Sequence, residues 1–575
     1  MATMSYKEFI KEVRMRISRF TADDFRDLIL YWASEESASA RPAFLNKLIL
    51  RERGKQEVFS DAAGLIDEIE SFSKRVEDGD YCEGWGWDDD IHDERYLGDE
   101  SWAREMDDFF LRARSLLLHG DYKSAEKAYL KLFEVLDMGE ESGHLPGVDY
   151  ENMLEVDLDE QVAIFLGCVY MNSSPERRPT SLFNAMNNCR YLGSGINLKS
   201  IEGALDVSLP DFDSFLAEWI EFLKNQIHWQ ASEWLREAVI MKGGVPAISE
   251  FAREHAEKYP LAYLDWIRAL KAQGDSDAII QAAREGLSKI PRDYTVRAEI
   301  AEVIANIGES REDPQLKLEG YKEGFDSSPS MERLVDLYKT AIECGCFKAM
   351  RDEAEKRIAE LRRSGGTLTN SGYNRERHMA VVRDGVFFNA LLLAGKYEEA
   401  FENCRRKGPL GWSNGDNPKP VFVAFMMVVL SNGTDGASVL LKHWENTIER
   451  TGHRGGSEYV RKYRSVIDHT LTTIVLAEER ESYFLKWCMD EVGKRVDAIV
   501  SNQHRGSYHK AAGLLVAMAE TLANRGEKQA GGNLIEKYRS KYPRHSAFRN
   551  EVSEAMKRSE VFNLSATAKG TKKRG

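Results

Sequence analysis

A pattern of glycine and proline recurs at a spacing of 38 residues, and it constrains the fold more than any other feature of the sequence. Residues 285–287 (Glu-Gly-Leu), followed by Pro291, recur as residues 323–325 (Glu-Gly-Phe), followed by Pro329. Each proline stands just beyond a segment whose apolar residues recur every three or four positions, as on one face of a helix. Repetition at this period is typical of helical hairpin arrays. The sequence therefore predicts an all-α fold, an irregular α-solenoid of stacked helical hairpins with negligible sheet.

The clearest hairpin unit surrounds a glycine turn. A helix carrying Tyr263, Trp266 and Leu270 leads into Gly274-Asp275, and a second helix follows and ends at Pro291. Glycine accepts the left-handed conformation that ends a helix, and the acidic residue after it favours the N-terminus of the next helix. The turn therefore predicts two helices that pack against each other.

This unit resembles the tetratricopeptide repeat family, most clearly over about residues 246–363. It departs from the family at Ile267, where a small residue is usual, and in its 38-residue spacing, which exceeds the family's 34. The resemblance implies a concave surface that binds peptides or domains. The candidate groove residues are Tyr263, Trp266, Arg268, Lys271, Arg297 and Tyr338. For the aromatic residues, packing between helices is the alternative.

An acidic and aromatic stretch, residues 77–101, interrupts the helical pattern. The chain has a net charge of −15, and residues 77–100 hold eleven acidic residues against one basic residue. Four glycines interrupt any helix there, so the sequence predicts a mobile linker. The candidate recognition residues in it are Trp85, Trp87, Asp88, Asp89 and Asp90, because aromatic rings beside carboxylates can dock on a basic, apolar groove. A solvated spacer is the alternative.

Breaks in periodicity divide the rest of the chain. The predicted segments are an N-terminal helical segment (1–76), the acidic aromatic linker (77–101), a helical hairpin domain (102–240), tetratricopeptide-like repeats (241–364), C-terminal helical repeats (376–560) and a basic disordered tail (561–575).

Two further segments carry predictions of their own. The longest apolar run, residues 421–430, has about half of the ~20 residues that a membrane-spanning helix needs, so it predicts a buried core helix. A basic cluster lies between residues 450 and 464 and consists of Arg450, Arg454, Arg461, Lys462 and Arg464. It is either a solvated helix face or a seat for an anionic segment, including the protein's own acidic stretch.

The motifs of common catalytic and metal sites are missing from the sequence. It contains no His-Glu-x-x-His, no phosphate-binding glycine loop ending in Lys-Ser/Thr, and no dinucleotide-binding fingerprint. Cys344 and Cys346 offer at most two local thiolates, too few for zinc. The sequence thus predicts a protein that is not an enzyme and has neither metal nor cofactor. Seven scattered cysteines predict free thiols, and with no secretory signal they predict a cytoplasmic location.

The functional prediction is a non-catalytic scaffold or adaptor that binds protein or peptide partners. Because the chain is acidic, basic partners are favoured and direct binding to nucleic acid is not expected; membrane binding is not expected either. One alternative is an acidic regulator that sequesters a basic partner, such as a nucleic-acid-binding protein. Another is an accessory subunit of an enzyme complex. Salt dependence separates the acidic regulator from a groove binder.

Overall fold

The structure is a computed structural model of the 575-residue chain. It describes residues 15–35, 41, 44–45, 58–88, 92–147, 153–192, 196–227, 229–364, 378–411, 417–452 and 456–563. The chain divides into two compact units, residues 1–247 and 248–575.

The residues of the first unit that the structure describes are helical apart from one hairpin of two strands. Its elements are α1 (Ala22–Glu35), α2 (Val58–Asp78), β1 (Cys82–Asp88), β2 (Asp93–Gly98), α3 (Trp102–Leu117), α4 (Tyr122–Ser142), α5 (Leu158–Asn172), α6 (Arg178–Asn188), α7 (Leu198–Ala204), α8 (Phe212–Lys224) and α9 (Trp229–Glu254). From α2 to α6 each helix packs on the next one, and α2 also packs on α4. Helix α7 packs on α5, and α8 packs on α6. Helix α9 is interrupted at Gly244, whose backbone is not helical, and Pro246 follows. The boundary between the units falls inside α9, after residue 247, so residues 248–254 of this helix belong to the second unit.

The second unit is a longer series of helices. They are α10 (Leu261–Gln273), α11 (Ser276–Lys289), α12 (Val296–Ser310), α13 (Pro314–Ser327), α14 (Met331–Glu343), α15 (Phe347–Arg363), α16 (Asp384–Leu393), α17 (Tyr397–Cys404), α18 (Lys419–Leu430), α19 (Ser438–Glu449), α20 (Ser457–Leu471), α21 (Glu478–Ser501), α22 (Tyr508–Asn524), α23 (Lys528–Lys541) and α24 (Ser546–Arg558). Most helices pack on the next one, and α19 also packs on α22. The prediction of an all-α fold built from neighbouring helix pairs is confirmed.

The 38-residue repeat is visible in the backbone. Helices α11 and α13 each have 14 residues, and their first residues are 38 positions apart. Asp275 caps α11 by accepting hydrogen bonds from the amides of residues 277 and 278 at 3.1 and 2.9 Å. Asp313 caps α13 in the same way, at 3.0 Å for both bonds. Each carboxylate satisfies donors that the first turn of a helix leaves open.

The apolar run forms the buried helix α18, as predicted. Its side chains from Phe422 to Val428 are all buried. The helix stops where Asn432 and Gly433 adopt φ angles of 53° and 108°, which a β-branched residue would disfavour. At the other end, the ammonium of the buried Lys419 lies 3.4 Å from the carboxylate of Glu491, which is also buried. This ion pair links α18 to α21.

Two predictions at the edges of the helical segments are wrong. Residues 82–88 and 93–98 form paired strands and not a linker. The aromatic residues Trp85, Trp87 and Tyr96 favour extended structure, and the two-residue spacing of the tryptophans places both on one face. Phe562, which the sequence predicts to lie in the basic tail from residue 561, is instead part of the packed unit, since it is 8% exposed and lies near Gly531. Residues 564–575 lie outside the described residues.

Within the described ranges, no helix is long and apolar enough to cross a membrane. All seven cysteines are free thiols, and four of them are buried.

Candidate functional site

The two aromatic residues predicted for a groove on α10 lie in the interior. Tyr263 is fully buried and Trp266 is 7% exposed. The hydroxyl of Tyr263 donates a hydrogen bond to Glu285 Oε1 on α11 at 3.2 Å. The Tyr263 ring lies so close to α11 that a Cβ atom on Gly286 would come within 2.9 Å of it. The groove prediction is therefore wrong for both rings, and packing between helices accounts for them.

Next to this contact between α10 and α11, an ion pair connects α9 to α11. Arg253 donates two hydrogen bonds to Glu285, at 2.8 and 3.1 Å. Its guanidinium also lies 4.5 Å from the centre of the Trp266 ring, in cation–π geometry. Burial, with the adjacent Glu285 carboxylate, raises the pKa of Tyr263 above its usual range. The tyrosine is thus a neutral donor that helps to align three helices.

Arg297 is buried as well and joins two consecutive hairpins. Its guanidinium donates to the Ile290 carbonyl at 2.8 Å and to the Leu287 carbonyl, so it satisfies acceptors at the C-terminus of α11. It also pairs with Glu323 on α13 at 2.7 Å and donates to Ser327 Oγ at 3.2 Å. The residue is structural, and its prediction as a groove residue is wrong.

The other three groove candidates divide between core and surface. Tyr338 is fully buried, with its ring edge-on to Phe347 at 5.2 Å, so the groove prediction is wrong for it too. Arg268 and Lys271 are exposed, and Arg268 pairs with Asp265 on the same helix at 2.8 Å. The predicted groove is therefore reduced to two exposed basic residues.

The hairpin of the first unit is held at its base by a buried tyrosine. Tyr81, which precedes β1, is 5% exposed and donates a hydrogen bond to Glu105 Oε1 on α3 at 3.1 Å. Arg75 on α2 binds the same carboxylate, and its guanidinium lies 5.4 Å from the centre of the Tyr81 ring. Burial and the carboxylate raise the pKa of Tyr81 to about 12. Tyr81 thus fixes the start of the hairpin between α2 and α3.

A second anchor holds β2. Tyr96 lies over Gly143, where a Cβ atom would come within 2.2 Å of the ring. Gly143 has a φ of 69° and ends α4, so both its backbone angle and the tyrosine require glycine there. The Tyr96 carbonyl also accepts a hydrogen bond from the Gly147 amide at 3.3 Å. Both strands are therefore attached to the helical core.

One face of this hairpin presents tryptophan to the surface. The register pairs Trp85 with Tyr96 and Trp87 with Glu94, and residues opposite each other share a face. Trp85 is 60% exposed and Trp87 is 58% exposed. The indole of Trp85 meets the Tyr96 ring edge-on at 4.8 Å and donates to Glu94 Oε2 at 3.3 Å. We call these four residues the aromatic face.

On the side of the strand opposite the two tryptophans, Leu97 lies against Gly86. Gly86 lies between the tryptophans in the strand, and a Cβ atom there would come within 2.7 Å of Leu97 Cδ1. Leu97 therefore fills the space that a side chain at position 86 would need. Of the three aspartates predicted beside the tryptophans, Asp88 ends β1, but its side chain lies outside the described structure, as do residues 89 and 90 entirely.

The basic cluster is only partly available to a ligand. Lys462 pairs with Asp336 at 2.8 Å and Arg464 pairs with Glu445 at 2.9 Å, so both charges are neutralised within the unit. Arg454 lies outside the described residues. No group of three or more His, Cys, Asp or Glu side chains in the described ranges is positioned to hold a metal ion.

Comparison with known proteins adds little. No protein-family model matches the chain, and no curated protein matches it. Among solved structures, the chain is similar to a circular tandem repeat protein with a novel repeat topology and enhanced subunit contact surfaces. The identity is 14% and the TM-score is 0.16, with 89% of this chain and 99% of that chain covered. At this TM-score the likeness supports no conclusion, so the fold is described from its own helices.

Proposed function

We propose that the chain is a non-catalytic scaffold or adaptor that binds protein partners, and that the aromatic face of the hairpin is one of its contact surfaces. The observation that carries the proposal is the exposure of Trp85 and Trp87 side by side on anchored strands. Tryptophan is strongly enriched among the residues that dominate binding energy at interfaces. Because Tyr81 and Tyr96 fix the hairpin, little conformational entropy is lost when a partner binds.

The charges around the aromatic face favour a basic partner. Glu83 and Glu94 are exposed on this hairpin, and Glu94 lies beside the Trp85 indole. A lysine or arginine of a partner can stack on an indole and pair with such a carboxylate at the same time. The same carboxylates would repel the phosphates of nucleic acid. We therefore propose a protein partner with basic residues beside apolar ones.

We also propose that about residues 246–363 are divergent tetratricopeptide-type repeats that act as the scaffold of the second unit. The equal length of α11 and α13, their matching aspartate caps and their 38-residue offset support this proposal. The exposed side chains of Arg268 and Lys271 remain the candidates for a partner contact there.

Affinity capture with matched variants tests the adaptor function. The tagged full chain is compared with a variant carrying Trp85→Ala and Trp87→Ala, using partners captured from its own cells and identified by mass spectrometry. Tyr191→Ala is the control, because Tyr191 is another exposed aromatic residue of the same unit, at 69%. We expect a partner that is lost only with the tryptophans. Equal capture by all three proteins would refute the aromatic face as a contact.

The acidic regulator is the second candidate, and the exposed carboxylates of the hairpin favour it. A partner held mainly by charge should dissociate steeply as salt rises, whereas a partner held by tryptophan should not. Repeating the capture at low and high salt separates the two functions. Retention at high salt supports the adaptor, and loss at moderate salt supports the regulator.

A further inference from the structure

The second unit contains a cavity of about 600 Å³ that no function described so far uses. Its walls come from α19, α21, α22 and α24, together with the start of α18 and the loop before it. This volume is in the range of about 300–1,000 Å³ that is typical of sites for small molecules.

Positive charge is concentrated in the lining. Lys442, Arg450, Arg495, Lys510 and Arg558 all line the cavity, and they come from four helices, with Lys442 and Arg450 both from α19 and its C-terminal end. No carboxylate of the described residues forms an ion pair with any of these five side chains. Two glutamates, at positions 551 and 554, also line it, but the second pairs with Lys557 at 2.6 Å, outside the lining.

Five cations against two glutamates give this part of the unit a net positive charge. Elsewhere in it, basic side chains such as Arg464 and Lys462 have carboxylate partners within 3.0 Å. Four of the five side chains are exposed and Arg495 is partly buried, so the cations surround an open pocket, and like charges held near one another there repel. The cavity therefore contains a positive potential that an anion would neutralise.

Two of the cations are in places where a positive charge is costly. Arg495 is partly buried in α21, and desolvation lowers the pKa of its guanidinium. Lys510 lies in the first turn of α22, where the positive end of the helix dipole disfavours a cation. Ser507, which precedes this helix, makes no capping hydrogen bond with its side chain. A bound anion would offset all of these unfavourable terms.

The remaining lining is apolar or neutral. Val423, Val439, Ile499 and Leu514 form an apolar part of the wall. His443 also lines the cavity; burial, with some repulsion from Arg450, lowers its pKa to about 4. It is thus a neutral hydrogen-bonding group near neutral pH. Inorganic phosphate alone would leave the apolar wall unfilled, so the lining fits a ligand with both an anionic and an apolar part.

We propose that this cavity binds a phosphorylated small molecule whose organic part is apolar or aromatic, with the five cations on the phosphates and the valine and leucine side chains on the organic part. This proposal goes beyond the adaptor function and is independent of it, because the aromatic face belongs to the other unit. A failure of either leaves the other unchanged.

Calorimetric titration of the full chain tests the proposal with four probes: ATP, inorganic tripolyphosphate, adenosine and a hexaglutamate peptide. We expect ATP to bind at least about tenfold more tightly than tripolyphosphate, because only ATP has an aromatic part for the apolar wall. Adenosine should not bind detectably. Hexaglutamate binding as tight as that of ATP would overturn the proposal in favour of an acidic protein segment. Absence of ATP and tripolyphosphate binding up to about 1 mM would overturn it outright.

Variants assign the binding to this cavity. Arg495→Gln and Lys510→Gln should each weaken ATP binding at least about tenfold, because each removes a charged donor to phosphate. Lys528→Gln, an exposed lysine on α23 outside the lining, makes the same charge change and should leave binding unaltered. Without ligand, Arg495→Gln should melt no lower than the wild type, since it removes an unpaired cation. Equal weakening by all three variants would show nonspecific charge binding and overturn the site.

Discussion

Asp275 and Asp313 stand 38 residues apart and cap two helices of equal length with the same pair of backbone hydrogen bonds. The carboxylate of each accepts from the second and third amides of its helix, at 2.9 to 3.1 Å. The repetition that is visible in the sequence is therefore a repetition of local structure, in which each hairpin is started by its own acidic residue.

The first prediction concerns these caps. Asp275→Ala and Asp313→Ala should each lower the free energy of unfolding by about 1 kcal/mol, because two amides lose their acceptor. Urea denaturation followed by circular dichroism measures the change. Asp→Asn at the same positions keeps an acceptor oxygen and should recover most of the loss. Alanine variants as stable as the wild type would show that the caps contribute nothing.

The second prediction compares two arginines that the sequence assigned to one groove. Arg297→Gln should lower the free energy of unfolding by about 3 kcal/mol, because it leaves the Glu323 carboxylate without its ion-pair partner and the carbonyls at the end of α11 without a donor. Arg268→Gln should change it by less than about 0.5 kcal/mol, since its ion pair is exposed. Both are measured by urea denaturation. Similar losses in the two variants would contradict the structural role of Arg297.

The third prediction uses the two glycines of the repeated motif. Gly286→Ala places a methyl group 2.9 Å from the Tyr263 ring, and this overpacking should destabilise the unit by about 1–3 kcal/mol. Gly324→Ala meets nothing closer than 3.8 Å. It should be neutral or stabilise by up to about 1 kcal/mol through helix propensity. Thermal melting compares the pair, and a reversed order would refute the close packing at Gly286.

The fourth prediction concerns acid stability. The pKa of His443 is lowered in the folded state from 6.5 to about 4, so folding favours its neutral form. The stability that it contributes is therefore complete above about pH 6.5 and is lost as the pH falls through about 4. Urea midpoints between those pH values should fall more steeply for the wild type than for His443→Gln. Parallel pH profiles would show that His443 is protonated freely in the folded chain.

The sequence predicts the helices better than the surface. Apolar periodicity and Asp275 indicate where α11 begins. Pro420 and Asn432 mark the two ends of the buried run that forms α18. In both helices, local propensity and packing favour the same structure. Periodicity cannot say which neighbour covers a residue. The sequence predicts Tyr263 and Trp266 for a groove, whereas in the structure α9 and α11 cover them.

The hairpin and the cavity are two further features that the sequence alone does not predict. The alternation in Trp85-Gly86-Trp87 was a signal for a strand, but the high acidic charge around it favoured a linker. The cations of the cavity are spread from Lys442 to Arg558 and form a cluster only after α19, α21, α22 and α24 pack together. The basic cluster that is local in sequence lies at residues 450–464, and two of its members, Lys462 and Arg464, are paired with carboxylates.

The aromatic face is the centre of the proposed function, and the dissociation rate of a captured partner tests it most directly. Trp85→Ala with Trp87→Ala should speed dissociation by at least about tenfold, because buried aromatic residues act mainly on residence time. Asp88→Asn, Asp89→Asn and Asp90→Asn together should mainly slow association, because rim charges act on encounter. Surface plasmon resonance measures both rates, with thermal melting to verify that each variant is folded. Unchanged dissociation from a folded double tryptophan variant would contradict the account.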